Sequence, residues 1–272
     1  MNNTSTRILV SVFAIPLILI LCYVGNIYFF LFAAAIALVS FYEFSQMAKN
    51  KGANVNLSLG FFAVLFLLLN SYLHFFDSYS SVVLIVFLSA LIELFRNKYS
   101  AIINIGATLL GIFYTGIFGA SLIGIREFYP HIGSLYLQGG YLIISVLSAI
   151  WICDSAAYFG GVSLGKHKLF PRVSPHKSWE GAAFGFLFAI LTMIIAHFIV
   201  LDFLTLFESI ILGVIVGIIG QTGDLVESLI KRDADVKDSS ALIPGHGGFF
   251  DRFDSLLFSA PVILLYLKYF TR

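Results

Sequence analysis

At 272 residues the chain is 59% hydrophobic and only 11% charged, with 29 phenylalanines and a mean hydropathy of +0.95. Too little polar sequence remains to cover a soluble core, which excludes a water-soluble globular enzyme and points to a polytopic membrane protein. The net charge of +1, with no basic patch, argues against nucleic acid as a partner, and Cys22 and Cys153 sit in apolar runs that do not suit a disulfide framework.

In chain order, Arg7 and the apolar run after it mimic a signal peptide. No small-residue cleavage site follows cleanly and more spans come after, so the segment reads as a retained first helix. Hydropathy gives nine candidate helices near residues 8–25, 27–47, 57–76, 81–95, 102–125, 140–161, 181–200, 206–226 and 254–270. Each is close to the ~20 residues that cross ~30 Å of hydrocarbon. The second and fourth have the least distinct ends, because the connectors at Gly25-Asn26 and at Asp77 to Ser80 are short. If the N-terminus is cytoplasmic, only Arg126, Lys268 and Arg272 of the 16 Lys and Arg fall on the opposite side. That positive-inside bias sets the orientation. The predicted fold class is all-α: a polytopic integral membrane protein with about nine transmembrane helices and two cytoplasmic polar loops, 162–180 and 227–253, able to form one site. The first five spans carry almost no interior ionisable residues beyond Glu43 and Glu93. Residues 1–139 therefore read as scaffold helices and 140–272 as the catalytic region.

The densest polar stretch runs from Ser228 to Ser255. Lys231, Arg232, Lys237 and Arg252 suit phosphate oxygens, whereas Asp224, Asp238, Asp251 and Asp254 suit a hard divalent cation. A site holding both kinds of group fits a metal–nucleotide complex. Asp224, Glu227, Ser228 and Lys231 follow i, i+3, i+4, i+7 spacing and share one helical face. A rim of charges meeting lipid head groups would show the same spacing. Asp224, however, follows Gly-Gln-Thr-Gly within an apolar span, and an acid that deep faces a bundle interior or a wet cavity. Pro244-Gly245-His246-Gly247-Gly248 is a flexible turn whose glycines let backbone amides approach phosphate. His246 reads as an acid/base, a phosphate donor or a turn residue, and the three stay open. Asp251 and Asp254 fall at the start of the ninth helix, where carboxylates favour the N-terminus. Capping accounts for Asp254 alone but not for Asp251, Arg252 and Asp254 together.

Upstream, Asp154 in the sixth span is another interior carboxylate, and Ser174, Lys177 and Ser178 precede a helix whose N-terminus can bind an anion. A positive-inside loop with a serine cap explains that segment equally well. Gly160 to Lys166, GGVSLGK, approaches the phosphate-loop pattern, but His167 replaces its Ser or Thr and a membrane span precedes it where a strand is needed. Gly181 with Gly185, and Gly213 with Gly217, are small-residue pairs that close helix packing explains.

The spacing S-x-x-K-R-x4-K-D … P-G-H-G-G-x-x-D-R-x-D is carried by Ser228, Lys231, Arg232, Lys237, Asp238, Pro244 to Gly248, Asp251, Arg252 and Asp254. It resembles the signature of the phosphatidate cytidylyltransferases, also called CDP-diacylglycerol synthases. Asp154 and Ser174-Pro175-x-Lys177-Ser178-Trp179-Glu180-Gly181 resemble that family's second polar segment, with His176 and Ser178 standing where Lys and Thr are expected. The hydropathy fits over the whole chain. The resemblance implies transfer of CMP from CTP to phosphatidic acid, giving CDP-diacylglycerol and pyrophosphate for phospholipid biosynthesis. It implies a homodimer among membrane lipids, its site at the cytoplasmic face of the inner or plasma membrane. It also implies Mg2+ held by Asp224 and Asp251, and leaves open a second, monovalent cation such as K+. Asp224, Asp251, Lys231 and Lys237 would be catalytic. Arg232, Arg252, His246, Gly247, Gly248, Ser174, Lys177, Ser178 and Asp154 would bind substrate or nucleotide. A relative acting on another lipid phosphate, or a kinase-like enzyme acting on a lipid alcohol, would share the loop chemistry. A transporter would spread carboxylates and helix breaks through several mid-membrane helices, whereas here the ionic residues gather in two loops on one side.

Overall fold

The computed structural model describes residues 3–243 and 247–271, with side chains from Val10 onward. Among the described residues the chain builds nine continuous helical rods. These are α1 (Asn3–Val24), α2 (Asn26–Asn50), α3 (Leu57–Leu73), α4 (Ser78–Arg96), α5 (Ala101–Arg126), α6 (Leu135–Leu164), α7 (Trp179–Ile199), α8 (Leu206–Asp233) and α9 (Phe250–Phe270). Seven of them, α2 and α4 to α9, are long and apolar enough to cross a membrane. The apolar stretch of α1, Val10–Val24, and α3 are shorter. The architecture is that of an all-α integral membrane protein.

The polar segments differ from the sequence expectation in extent. The membrane span read to residue 226 continues as helix to Asp233, as the i, i+3, i+4, i+7 spacing of Asp224, Glu227, Ser228 and Lys231 predicts, and the first turn of α9 opens at Phe250, ahead of the expected Asp254. Hydropathy marks where hydrocarbon contact ends, not where the backbone stops coiling. Past that point Glu227 and Lys231 pair at i,i+4 (2.8 Å), and Lys231 and Arg232 occupy the last turn, where cations favour the helix C-terminus. In the other loop, β1 (Lys168–Phe170) and β2 (Ser174–Ser178) form a small antiparallel hairpin, with Lys168 opposite Ser178 and Phe170 opposite Ser174. Glu180 pins its base, accepting from the Lys166 and His167 amides (3.1 and 3.2 Å) and contacting His167 Nδ1 at 2.6 Å. Gly160 to Leu164, the phosphate-loop lookalike, belongs to α6.

Small residues set the closest helix pair. A Cβ on Gly181 would lie 2.6 Å from the Ala157 carbonyl oxygen, and one on Gly185 would lie 2.9 Å from that of Cys153. Backbone-to-backbone approach of this kind is how helices associate in lipid, where apolar surface gains nothing by leaving its solvent. It brings the start of α7 against the Asp154 turn of α6. In α8 a π-turn over Val216–Gly220 precedes the acidic face. Gln221 Nε2 satisfies Gly217 O (2.6 Å) and also reaches Ala182 O in α7 (3.1 Å). Such single π-turns shift the phase of the residues beyond them.

Two buried ionic residues do structural work. Arg126 is wholly buried, donating through Nε to Cys22 O (2.6 Å), Nη2 to Tyr23 O (2.8 Å) and Nη1 to Tyr136 O (3.2 Å). It thereby caps the C-terminus of α1, where a cation also meets the helix dipole. Glu93 accepts from Arg96 (2.7 Å) and Asn104 (2.6 Å), closing α4 onto α5.

Candidate active site

The two polar segments meet at one cavity of about 690 Å³ between α6, the hairpin, α7, α8 and α9. Its wall holds five carboxylates, Asp154, Asp224, Glu227, Asp251 and Asp254, against the cations Lys177, Lys231 and Arg252. An excess of acid beside Lys and Arg, residue types that suit phosphate oxygens, fits a bound cation together with a polyanion.

Lys177 Nζ, at the end of the hairpin, lies 2.5 Å from Asp224 Oδ2 in α8 and so ties the two segments together. Two turns further along α8, Lys231 Nζ stands between Glu227 Oε1 (2.8 Å) and Asp251 Oδ1 (2.9 Å). Glu227 is buried, and among the described residues no donor is aligned to hydrogen-bond its Oε1, the Lys231 contact being an ion pair without hydrogen-bond geometry. Asp224, Glu227 and Asp254 bring one oxygen each to within 4.8 Å of one another. Three carboxylates that bring hard oxygens this close together form a donor set suited to a divalent cation.

Asp251, expected beside Asp224, is engaged otherwise. Its Oδ2 accepts from the Gly248 amide (2.8 Å) and the Ser239 amide (3.0 Å), while Oδ1 meets Lys231. Gly247 has φ +82°, and a Cβ there would lie 2.7 Å from Asp251 Oδ2, so both the backbone conformation and the close approach favour glycine. Gly248 supplies the amide. Asp254 is buried in the second turn of α9, with Oδ1 accepting from the Ser255 amide at 2.6 Å.

The remaining expected residues divide. Asp154 opens onto the cavity and is accessible there, not enclosed between helices as its place in a span suggested. Arg252 lines the same wall. Ser178 lines it too, but its Oγ accepts from the Gly181 amide (3.1 Å) as the N-cap of α7, the serine-cap alternative. Ser174, Arg232 and Lys237 lie off the wall. Arg232 is exposed and braces one loop against the other through Val173 O (3.4 Å) and Val236 O (3.2 Å). Lys237 is exposed. His246 lies outside the described residues. Two acids that the sequence reading did not assign to the site belong beside it. Glu227 shares the helical face of Asp224, so its signal was present, whereas Glu43 in α2 gave none.

A cavity between apolar helices that pairs clustered carboxylates with lysine and arginine has the groups that a membrane enzyme of nucleotide chemistry needs, and comparison with known proteins sharpens that class. The family model described as the cytidylyltransferase family matches residues 5–270. The chain is 34% identical over 277 residues to the phosphatidate cytidylyltransferase of Bacillus subtilis, covering 100% of both chains. It is 30% identical to that of Staphylococcus haemolyticus over 96% of this chain and 98% of the relative. The match to that of Brucella suis is also 30%, over 98% and 94%. The chain belongs to the cytidylyltransferase family.

Proposed function

We propose that this protein is a phosphatidate cytidylyltransferase, joining CTP and phosphatidic acid to give CDP-diacylglycerol and pyrophosphate in phospholipid biosynthesis. The observation that carries the reading is the convergence of Lys177, Lys231 and Arg252 with five carboxylates on one cavity wall between apolar helices. That cavity suits a water-soluble triphosphate and a lipid phosphate at once.

In the reaction a phosphatidate oxygen forms a bond to the α-phosphorus of CTP as the bond to the bridging oxygen breaks. Pyrophosphate leaves with that electron pair. The nucleophile is already an anion, so no general base is required, and the work of the protein is alignment and charge neutralisation. Lys177 and Arg252 would bind phosphate oxygens, and Lys231, aimed by Glu227 and Asp251, would meet the charge that builds on the leaving group. Asp224, Glu227 and Asp254 would hold Mg2+, which when bound supplies positive charge to the triphosphate. Asp251, whose oxygens are taken up by Lys231 and two amides, would orient that lysine instead. The distribution of Lys and Arg supports a cytoplasmic site, and nine membrane crossings and a homodimer complete the proposal.

Purified protein in detergent, given labelled CTP, Mg2+ and phosphatidic acid, should release pyrophosphate and CDP-diacylglycerol in equal amounts. Release of CDP with phosphorylation of diacylglycerol would establish the kinase-like alternative.

A further inference from the structure

Glu43 lies in α2, within the half that reads as scaffold, yet its carboxylate is 1% exposed beneath the polar loop. Among the described residues it accepts four hydrogen bonds, every one from residues at least 196 positions away: Ser239 Oγ (3.0 Å), Ser240 Oγ (2.5 Å), the Phe249 amide (3.1 Å) and the Phe250 amide (2.8 Å). The two amides open α9, and no side chain of α9 itself caps that end. Glu43 therefore does from another helix what an N-cap residue ordinarily does locally. The same carboxylate limits what Gly248 can be. A Cβ there would lie 2.5 Å from Glu43 Oε1 and 2.1 Å from Ser239 Oγ.

Ser239 connects this anchor to the site. Its hydroxyl goes to Glu43 while its amide donates to Asp251, which in turn holds Lys231. Two turns further along α2, Asn50 Nδ2 reaches Ala234 O (3.3 Å) and Lys51 pairs with Asp235 (2.7 Å), securing the other end of the loop. Phe44 and Met47 fill the space between, packed with Tyr114, Ala234 and Phe250. One face of α2 thus spans the whole connection from α8 to α9.

We infer that Glu43 is a positioning residue for cytidylyl transfer. It fixes Ser239, Ser240 and the first turn of α9 so that Asp254 reaches Asp224 and Glu227 and Asp251 stays on Lys231. This role rests on the cation assignment proposed above. A buried carboxylate, with no ion pair among the described residues, is tolerated where hydrogen-bond donors meet it. When it is removed, two hydroxyls and two helix-end amides lose their acceptor at once.

Full-length Glu43→Ala, Glu43→Gln and the milder Ser240→Ala, purified in detergent, test the inference. Titration with Mn2+ alone, followed by electron paramagnetic resonance, reads the acidic cluster without turnover. Glu43→Ala should weaken Mn2+ binding at least tenfold and lower kcat at saturating metal at least 100-fold, with KM for phosphatidic acid within threefold. Glu43→Gln, which keeps one acceptor oxygen, and Ser240→Ala should fall between it and wild type. Wild-type Mn2+ affinity in all three variants would overturn the inference. So would activity lost only in proportion to the folded fraction, with the surviving molecules wild-type in kcat and Mn2+ affinity. A wild-type protein that binds no Mn2+ would refute the cation assignment itself, and the role of Glu43 with it.

Discussion

Replacing Asp254 by Asn should separate the cation ligands from the residues that orient Lys231. Three carboxylate oxygens within 4.8 Å of one another define a triangle, and a charge of +2 at its centre would lie about 2.8 Å from each. With an effective dielectric of ~20, one carboxylate then contributes about 12 kcal/mol of gross attraction. Removing it also relieves its repulsion with the other two, about 3.5 kcal/mol each. The difference is about 5 kcal/mol, and a water or the new amide oxygen takes the vacated position and recovers part of it. A net loss on the order of 3 kcal/mol corresponds to a factor of ~100 in affinity. The Mg2+ midpoint for CDP-diacylglycerol synthesis should therefore rise about 100-fold in Asp254→Asn, with partial recovery of kcat at saturating Mg2+.

Asp251→Asn should behave differently. Its oxygens are occupied by Lys231 and by the Ser239 and Gly248 amides, so the amide variant should lose kcat while its Mg2+ midpoint moves less than about tenfold. The assay is initial rate against free Mg2+ at saturating CTP and phosphatidic acid. A wild-type midpoint in Asp254→Asn together with a 100-fold shift in Asp251→Asn would refute this division and return Asp251 to the metal.

Arg126→Met should destabilise without touching chemistry: three carbonyls lose a buried cationic donor, at a cost of about 3–5 kcal/mol. Thermal unfolding in detergent should show a Tm lower by on the order of 10 °C, with kcat of the folded enzyme unchanged, and an unaltered Tm would contradict the capping role. For topology, cysteines at Pro175 and Ala241, both exposed, in a background lacking Cys22 and Cys153, should react with an impermeant thiol reagent only from the cytoplasmic side. One at Asp202 should react only from the other, and labelling of the first two from opposite sides would break the one-site reading. Diacylglycerol should fail to replace phosphatidic acid, because Lys177, Lys231 and Arg252 favour an anionic acceptor. Turnover of diacylglycerol would show that those cations serve the nucleotide alone.

The helical rods were legible because a membrane span announces itself by length and apolarity, both local properties of the chain. Their ends were less so. Hydropathy alone ends the eighth span at residue 226, and it was the i, i+3, i+4, i+7 spacing from Asp224 to Lys231 that marked the helix as going on, held by the Glu227–Lys231 pair. The Lys168–Ser178 hairpin was not visible, since its strands are three and five residues long and interrupted by proline. At the site, spacing gathered Asp224, Lys231, Asp251 and Lys177 into one neighbourhood but could not say which oxygen faces which donor. Asp251 and Asp254, three residues apart on the same helix, divide because Gly248 and Ser239 turn their amides toward the first and leave the second to α8.

Glu43 marks the limit of sequence reading most clearly. Within α2 it is one acid in an apolar helix, and no periodicity links it to Ser239 or Phe250 some 200 residues later. Its meaning comes from the return of the chain. A loop that must present charged groups to water-soluble CTP while joined to two apolar helices has few apolar side chains with which to pack itself. Ser239 and Ser240 draw order from outside, through a buried acceptor that meets their hydroxyls and the amides opening α9. The half of the chain poor in charge is thus where the geometry of the charged half is set, and a boundary drawn near residue 139 divides the sequence by composition more than the site by function.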